Sequence, residues 1–436
     1  MEVNGDLSSE NNTLQRLRCA VKNYDWGRIG SDSAVARLYS ANSGVDIDPI
    51  RPYAEFWMGT HGSGPSFVVK NGDLLENGDC DLSDSVTLRS WIQKNPNVVG
   101  SKLLKKWGCD LPFLFKVLSI AKPLSIQAHP DKDLARKLHE SQPDVYKDDN
   151  HKPEMALAIT EFEALCGFIT IKELKNVLQN VPEIRKLVGD VYVEQVSNLT
   201  DQDGEEKVKS EVRSLFTQLM SASKDMIVDA LSKLKSRLKM KDELSFRDQL
   251  ALRLERQYPD DVGVIAAFFM NYVKLKPGEA LCLGANEPHA YLSGNCIECM
   301  ATSDNVVRAG LTPKKRDVKT LCSMLTYKLE FPAILEGCSL NKYTRKYRPP
   351  FEEFEVDHCV ISEQATVTFP PIEGPSIFLI MDGEGTVRTG SSSEETLCVG
   401  DVLFAPAETD MSIRTESWLE LYRAGVNGEF LGALEA

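Results

Sequence analysis

The chain has 436 residues, 42% of them hydrophobic and 26% charged, a globular composition with apolar material for about two to four domains. Its net charge of −14 argues against a general nucleic-acid or anionic-membrane binder, and an anionic small molecule would need a local basic pocket. No stretch reaches the ~18 apolar residues that span a membrane, the polar residues 1–15 lack the pattern of a signal peptide, and an odd number of cysteines, eleven, fits a reducing compartment, so a cytoplasmic protein is expected.

Residues 15–170 read as short strands separated by Gly, Pro, Asn and Asp, among them 65–70, 112–119, 124–129 and 154–160. Lys116 interrupts the apolar run Phe113-Leu114-Phe115-Lys116-Val117-Leu118. An unpartnered buried ammonium is costly, so Lys116 either snorkels at an edge or faces a polar pocket, and the pocket is favoured. In a strand, residues two apart share a face. Ser125, Gln127 and His129 therefore line one side of theirs, and Lys152 and Glu154 look away from Met155 and Leu157.

Residues 171–258 change period. Val208, Val212, Leu215, Phe216, Leu219 and Met220 recur at helical spacing, as do Ile227, Leu231, Leu234 and Leu238. This reads as an all-helical insertion, with 201–206 as an acidic loop. Strands return after Pro259. The turn Lys276-Pro277-Gly278-Glu279 leads through an apolar run to Glu287-Pro288-His289, and His289 opens a third strand. Cys296 and Cys299 form a lone Cys-x-x-Cys whose side chains point to opposite faces of a strand, so a structural role is expected. Near the C-terminus, Gly400-Asp401, Val402-Leu403-Phe404-Ala405 and Pro406 repeat the turn–strand–proline rhythm, with Ala407 where the earlier copy has His289. The rhythm resembles cupin jelly rolls. The expected architecture is mainly β with a helical insertion: a discontinuous metal-bearing cupin-like barrel (1–170 and 259–330), a helical domain (171–258) and a metal-less cupin-like domain (331–436).

Gln127, His129, Glu154 and His289 make a plausible zinc shell of two imidazoles, one carboxylate and one amide oxygen. A single negative ligand leaves the ion Lewis-acidic. The competing reading is that six histidines offer chance pairings and that strand histidines are usually packed or solvated. The stretch 303–314 is the other anomaly. Thr312-Pro313 reads as an N-cap and first helical residue, followed by Lys314, Lys315 and Arg316. Cations at a helix start oppose the dipole, which points to a phosphate or carboxylate nearby, with Arg308 joining it. Solvated surface lysines are the alternative.

Several motifs together resemble the type I mannose-6-phosphate isomerases. They are Tyr24-Asp25-Trp26-Gly27, Ala54-Glu55-Phe56-Trp57-Met58-Gly59-Thr60-His61, the stretch 123–130, Tyr146-Lys147-Asp148-Asp149-Asn150-His151-Lys152-Pro153-Glu154, and the long segment from His289 to Lys314. The resemblance implies one zinc ion per chain on Gln127, His129, Glu154 and His289, with Arg308 as the principal catalytic arginine. It implies reversible conversion of mannose 6-phosphate to fructose 6-phosphate through an enediol, supplying mannose for GDP-mannose synthesis. Lys152, Glu298, Asp304 and His151 are candidates to carry the proton. Lys116, Lys314, Trp26, Ser125 and His151 are the expected substrate contacts. The partner is a small sugar phosphate, and the chain is expected to be monomeric, with a weak dimer left open. The rivals are a cupin metal oxygenase and a non-enzymatic bicupin.

Overall fold

The computed structural model describes residues 13–69, 85–390 and 394–432. The polar N-terminal start and the Lys70 end of the 65–70 strand lie outside them. Within them the chain forms two large antiparallel sheets and a helical insertion. No described helix is long and apolar enough to cross a membrane.

The first sheet is organised by one long strand, His289–Ala301. Its first half pairs with Phe162–Phe168, and its second half pairs with Phe113–Ile120 on one side and Glu154–Ala158 on the other. The exchange of partners happens at Gly294, where φ is 115° and a Cβ would lie 2.5 Å from the Glu161 carbonyl oxygen. Only glycine fits such a corner. Beyond it, side chains alternate. Phe113, Phe115 and Val117 join Met155, Leu157, Ile297 and Cys299 in a core shared with Tyr347, Val356, Ile377 and Phe404 of the second sheet. The opposite face carries Lys116, Glu154 and Glu298, all buried. Cys296 and Cys299 fall into different apolar clusters, and burial pushes both thiols well above their ordinary pKa.

The second sheet encloses its own core of Ile361, Phe378, Ile380, Leu403, Ile413 and Leu421. Strand pairing crosses residue 331 in both directions. Gln15–Arg18 pairs with Val402–Ala405, and Ile334–Leu335 pairs with Ala280–Leu283.

Between Ile171 and Gln257 the chain is helical, with capping boxes at Thr170 and Ser245. The stripe from Val212 to Met220 and that from Ile227 to Leu238 are buried. Three details differ from the expectation. Glu205 and Glu206 open a helix, where carboxylates suit the positive end of the dipole, instead of continuing the loop. Helical turns at Val262–Ala266 and Ala267–Phe269 precede the first returning strand, Met270–Leu275. Helices Ala34–Ser43, Leu88–Lys94, Ser101–Trp107 and Lys132–Ser141 interrupt the region read as strands and turns, because two or three turns are too short to show a period.

A fourth difference bears on the site. No helix starts at Thr312. Asp261 accepts the N–H groups of Leu311 and Thr312, and Leu311 takes φ 52°. The helix begins at Val318, capped by Asp317, which accepts from Thr320 N–H. Lys314, Lys315 and Arg316 thus lie in a loop, and the dipole argument for an anion falls away. Gly310 is pressed against Gly263, where a Cβ would stand 2.5 Å from the Gly263 Cα. Gly310→Ala should therefore destabilise the chain by about 1–3 kcal/mol through overpacking, seen as a lower urea midpoint. Gly284→Ala, where a Cβ meets nothing within 4 Å, should stay within about 0.5 kcal/mol.

Candidate metal centre and active-site cleft

Local register brings the site together. Glu154 and His289 are the first residues of their strands, and Gln127 pairs opposite both His289 and Arg308. His129 follows the short strand Ile126–Ala128. The His129 Nδ1–H donates to the Asn305 carbonyl at 2.6 Å, and the His289 Nδ1–H to the Glu287 carbonyl at 3.0 Å. Each ring's remaining lone pair is therefore on Nε2. His129 Nε2 lies 3.3 Å from Glu154 Oε1, and His289 Nε2 lies 3.3 Å from Glu154 Oε2. The three residues are each 1% exposed, and their ligand atoms lie within 4.8 Å of one another.

Both Nε2 atoms and Glu154 Oε2 are buried without a hydrogen bond. Orphaned buried polar atoms are rare, and three converging on one point fit a cation better than a packed core. The protonation states agree. Burial pushes His129 down to about 4, so its imidazole is neutral. Burial alone would raise Glu154, but Lys152, with Nζ 3.1 Å away, and His129 hold it well below the usual carboxylate range. Two imidazoles and a carboxylate are a donor set for a divalent metal. Gln127 stands on the rim, its Oε1 accepting from Ser125 Oγ at 3.2 Å.

A cleft of about 460 Å³ opens above this group. Lys152, Glu154, Glu298, Asp304 and Arg308 line it, together with Trp26, Ser125, Gln127, Lys116 and Lys314. Lys116 Nζ donates to Glu298 at 2.8 Å and lies 3.6 Å from Glu55. Burial opposes its charge, but the two carboxylates outweigh burial and keep Lys116 protonated. Glu298 is raised by burial, with Lys116 opposing and Glu154 and Glu55 adding to the rise. Arg308 has no carboxylate partner among the described residues, and burial lowers its pKa.

The family model described as phosphomannose isomerase type I, catalytic domain, matches residues 14–171, and the helical insertion domain of the same family matches 187–270. Mannose-6-phosphate isomerase 1 of Arabidopsis thaliana is 58% identical over 434 residues, covering 99% of this chain and 98% of its own. The chain belongs to the type I phosphomannose isomerases. It is an enzyme of the aldose–ketose isomerase class. The human mannose-6-phosphate isomerase is 40% identical, over 91% of this chain and 94% of its own. A crystal structure of a phosphomannose isomerase variant from Salmonella typhimurium superimposes with a TM-score of 0.80 at 29% identity, covering 95% of this chain and 99% of that one. Another relative, solved with zinc and yttrium bound, gives 0.79 at 28% identity, with the same coverage of each chain.

One expected substrate contact is not in this isomerase's cleft. His151 Nε2 bonds Glu353 Oε1 at 2.7 Å, towards the second sheet. Adjacent residues of extended backbone face opposite ways, so placing Lys152 in the cleft turns His151 out. Sequence reasoning passed over Glu55, Trp57 and His61, which also line the cleft. The signal for Glu55 was present: a carboxylate beside Phe56-Trp57-Met58 is as anomalous as Lys116 in its own strand. Lys116→Met would leave Glu298 and Glu55 buried without their cation. The expected cost is about 3–5 kcal/mol in denaturant unfolding of the metal-loaded protein.

Proposed function

We propose that this chain interconverts mannose 6-phosphate and fructose 6-phosphate in the cleft, with one zinc ion held by Gln127, His129, Glu154 and His289. The observation that carries the reading is the convergence of three orphaned metal-donor atoms beneath a cleft walled by acid–base groups and an unpaired arginine. The carboxylates Asp25, Glu55, Glu154, Glu298 and Asp304 outnumber the cations Lys116, Lys152, Arg308 and Lys314 by one. A divalent ion reverses that sign and makes the cleft receptive to a phosphate dianion.

The reaction moves a proton between C2 and C1 through an enediol. Bound zinc supplies a positive charge that polarises the C1–C2 oxygens. The rest falls to the side chains. Glu298, whose pKa burial raises and which lines the cleft, carries the proton. Lys152 and Asp304 orient the sugar hydroxyls. Arg308 lies opposite Gln127 in register, close to the metal ligands, so it steadies the negative charge that develops at C1–C2. Lys314, exposed on the rim, takes the phosphate. The cysteines that are free among the described residues support a reducing, cytoplasmic setting; a monomeric enzyme whose product feeds GDP-mannose synthesis completes the proposal.

Two measurements test this. In an assay coupled to fructose 6-phosphate formation, chelator dialysis should abolish turnover of mannose 6-phosphate and zinc should restore it; full activity in a verified metal-free sample sinks the metal assignment. Arg308→Ala should lower kcat about 100-fold or more with little change in KM, whereas Lys314→Ala should raise KM and spare kcat. A pure KM effect at Arg308 would make it a phosphate binder instead.

A further inference from the structure

Asp304 is held unevenly. Its backbone N–H donates to Asp148 Oδ2 at 2.7 Å, and the neighbouring Ser303 hydroxyl donates to Asp148 Oδ1 at the same distance. Its carboxylate, half-exposed on the cleft, has one side-chain partner among the described residues: His61, whose Nε2 lies 3.3 Å from Asp304 Oδ1.

The imidazole is itself fixed. Ser63 N–H donates to His61 Nδ1 at 3.2 Å, which places the ring proton of the neutral form on Nε2, facing Asp304. Trp57 meets the ring edge-on, with centroids 5.0 Å apart at 85°. The His61 carbonyl accepts from Gly64 N–H, closing the turn that carries it. His61 is 7% exposed. A buried ring with a set tautomer and a set plane, its Nε2 within 3.3 Å of a half-exposed carboxylate, is arranged to orient that carboxylate.

We propose that His61 is a positioning residue for this cleft, its Nε2–H holding Asp304 so that the free carboxylate oxygen accepts a hydroxyl of the sugar phosphate. The assignment rests on the isomerase reading above. The His61 contact also helps to keep Asp304 below its ordinary pKa, so it stays an acceptor. His61 touches no substrate atom in this scheme. It acts only through Asp304.

A double-mutant cycle on the zinc-loaded enzyme tests this. His61→Ala and Asp304→Asn should each lower kcat/KM at least about 10-fold, as expected for loss of a charge-assisted hydrogen bond. The double variant should be no worse than the poorer single variant within about 3-fold, because the two residues act as a unit. His61→Gln, whose terminal amide can replace the Nε2–H donor, should recover most of the loss. A purely structural histidine would give losses that multiply in the double variant and no rescue by glutamine; either result overturns the proposal, as does full activity in His61→Ala. If His61→Ala fails to fold, judged by its melting curve and zinc content, the same cycle is run with His61→Asn, whose amide is too short to reach Asp304. Absence of turnover in zinc-loaded wild type would sink the isomerase reading itself, whereas a failed cycle in active enzyme sinks only the role of His61.

Discussion

Charge taken out of water must be balanced in place, and the first sheet buries Glu55, Lys116, His129, Glu154, His289 and Glu298 around one cavity. The arrangement follows from strand alternation. In Phe113–Ile120 and His289–Ala301, one set of side chains packs apolar against the second sheet, and the other set faces inwards with Lys116, Glu298 and Tyr291. The same pleat that makes the core therefore makes the polar interior. Lys116 is what allows Glu298 and Glu55 to sit there together.

The remaining parts hold this interior in shape. The second sheet covers the outer faces of the strands that carry the site, and it reaches the loop before Glu154 through the His151–Glu353 bond. At the other end, Asp261 follows the helical insertion and ties it to the chain just beyond Arg308, by way of Leu311 and Thr312. The packed glycines Gly263 and Gly310 leave no room for that junction to slide. Arg308 and Lys314 are thus placed by contacts from outside their own segment. His61, with Ser63 and Trp57 behind it, is set towards Asp304 as the Asn305 and Glu287 carbonyls set His129 and His289 towards Glu154.

Much of this was legible in a period of two. Ser125, Gln127 and His129, or Lys152 and Glu154, share a face in any strand, and Lys116 announced a pocket because an ammonium in an apolar run needs a partner. The failures have equally definite causes. Thr312-Pro313 carries a helix-start pattern, but Asp261, about fifty residues upstream, takes the N–H groups there, and Asp317 makes the cap. His151 lies next to Lys152 in a rich motif, yet adjacency in extended chain means opposite faces. His61 closes one of the family motifs but drew no role, since its importance lies in a carboxylate 243 positions away and in which ring nitrogen Ser63 occupies.

By itself, then, the sequence determined periodicity: which segments are strands, which block is helical, which polar side chains share a face, and the motifs that carry the family resemblance. These are properties of neighbouring residues, and backbone geometry translates them directly. Only the tertiary structure decided which faces meet. The bend at Gly294 brings His289 to Glu154, Asp261 turns Thr312 out of a helix, and the fold sets His61 against Asp304. Those pairings depend on long-range packing and on the balance of buried charge, which no local pattern contains.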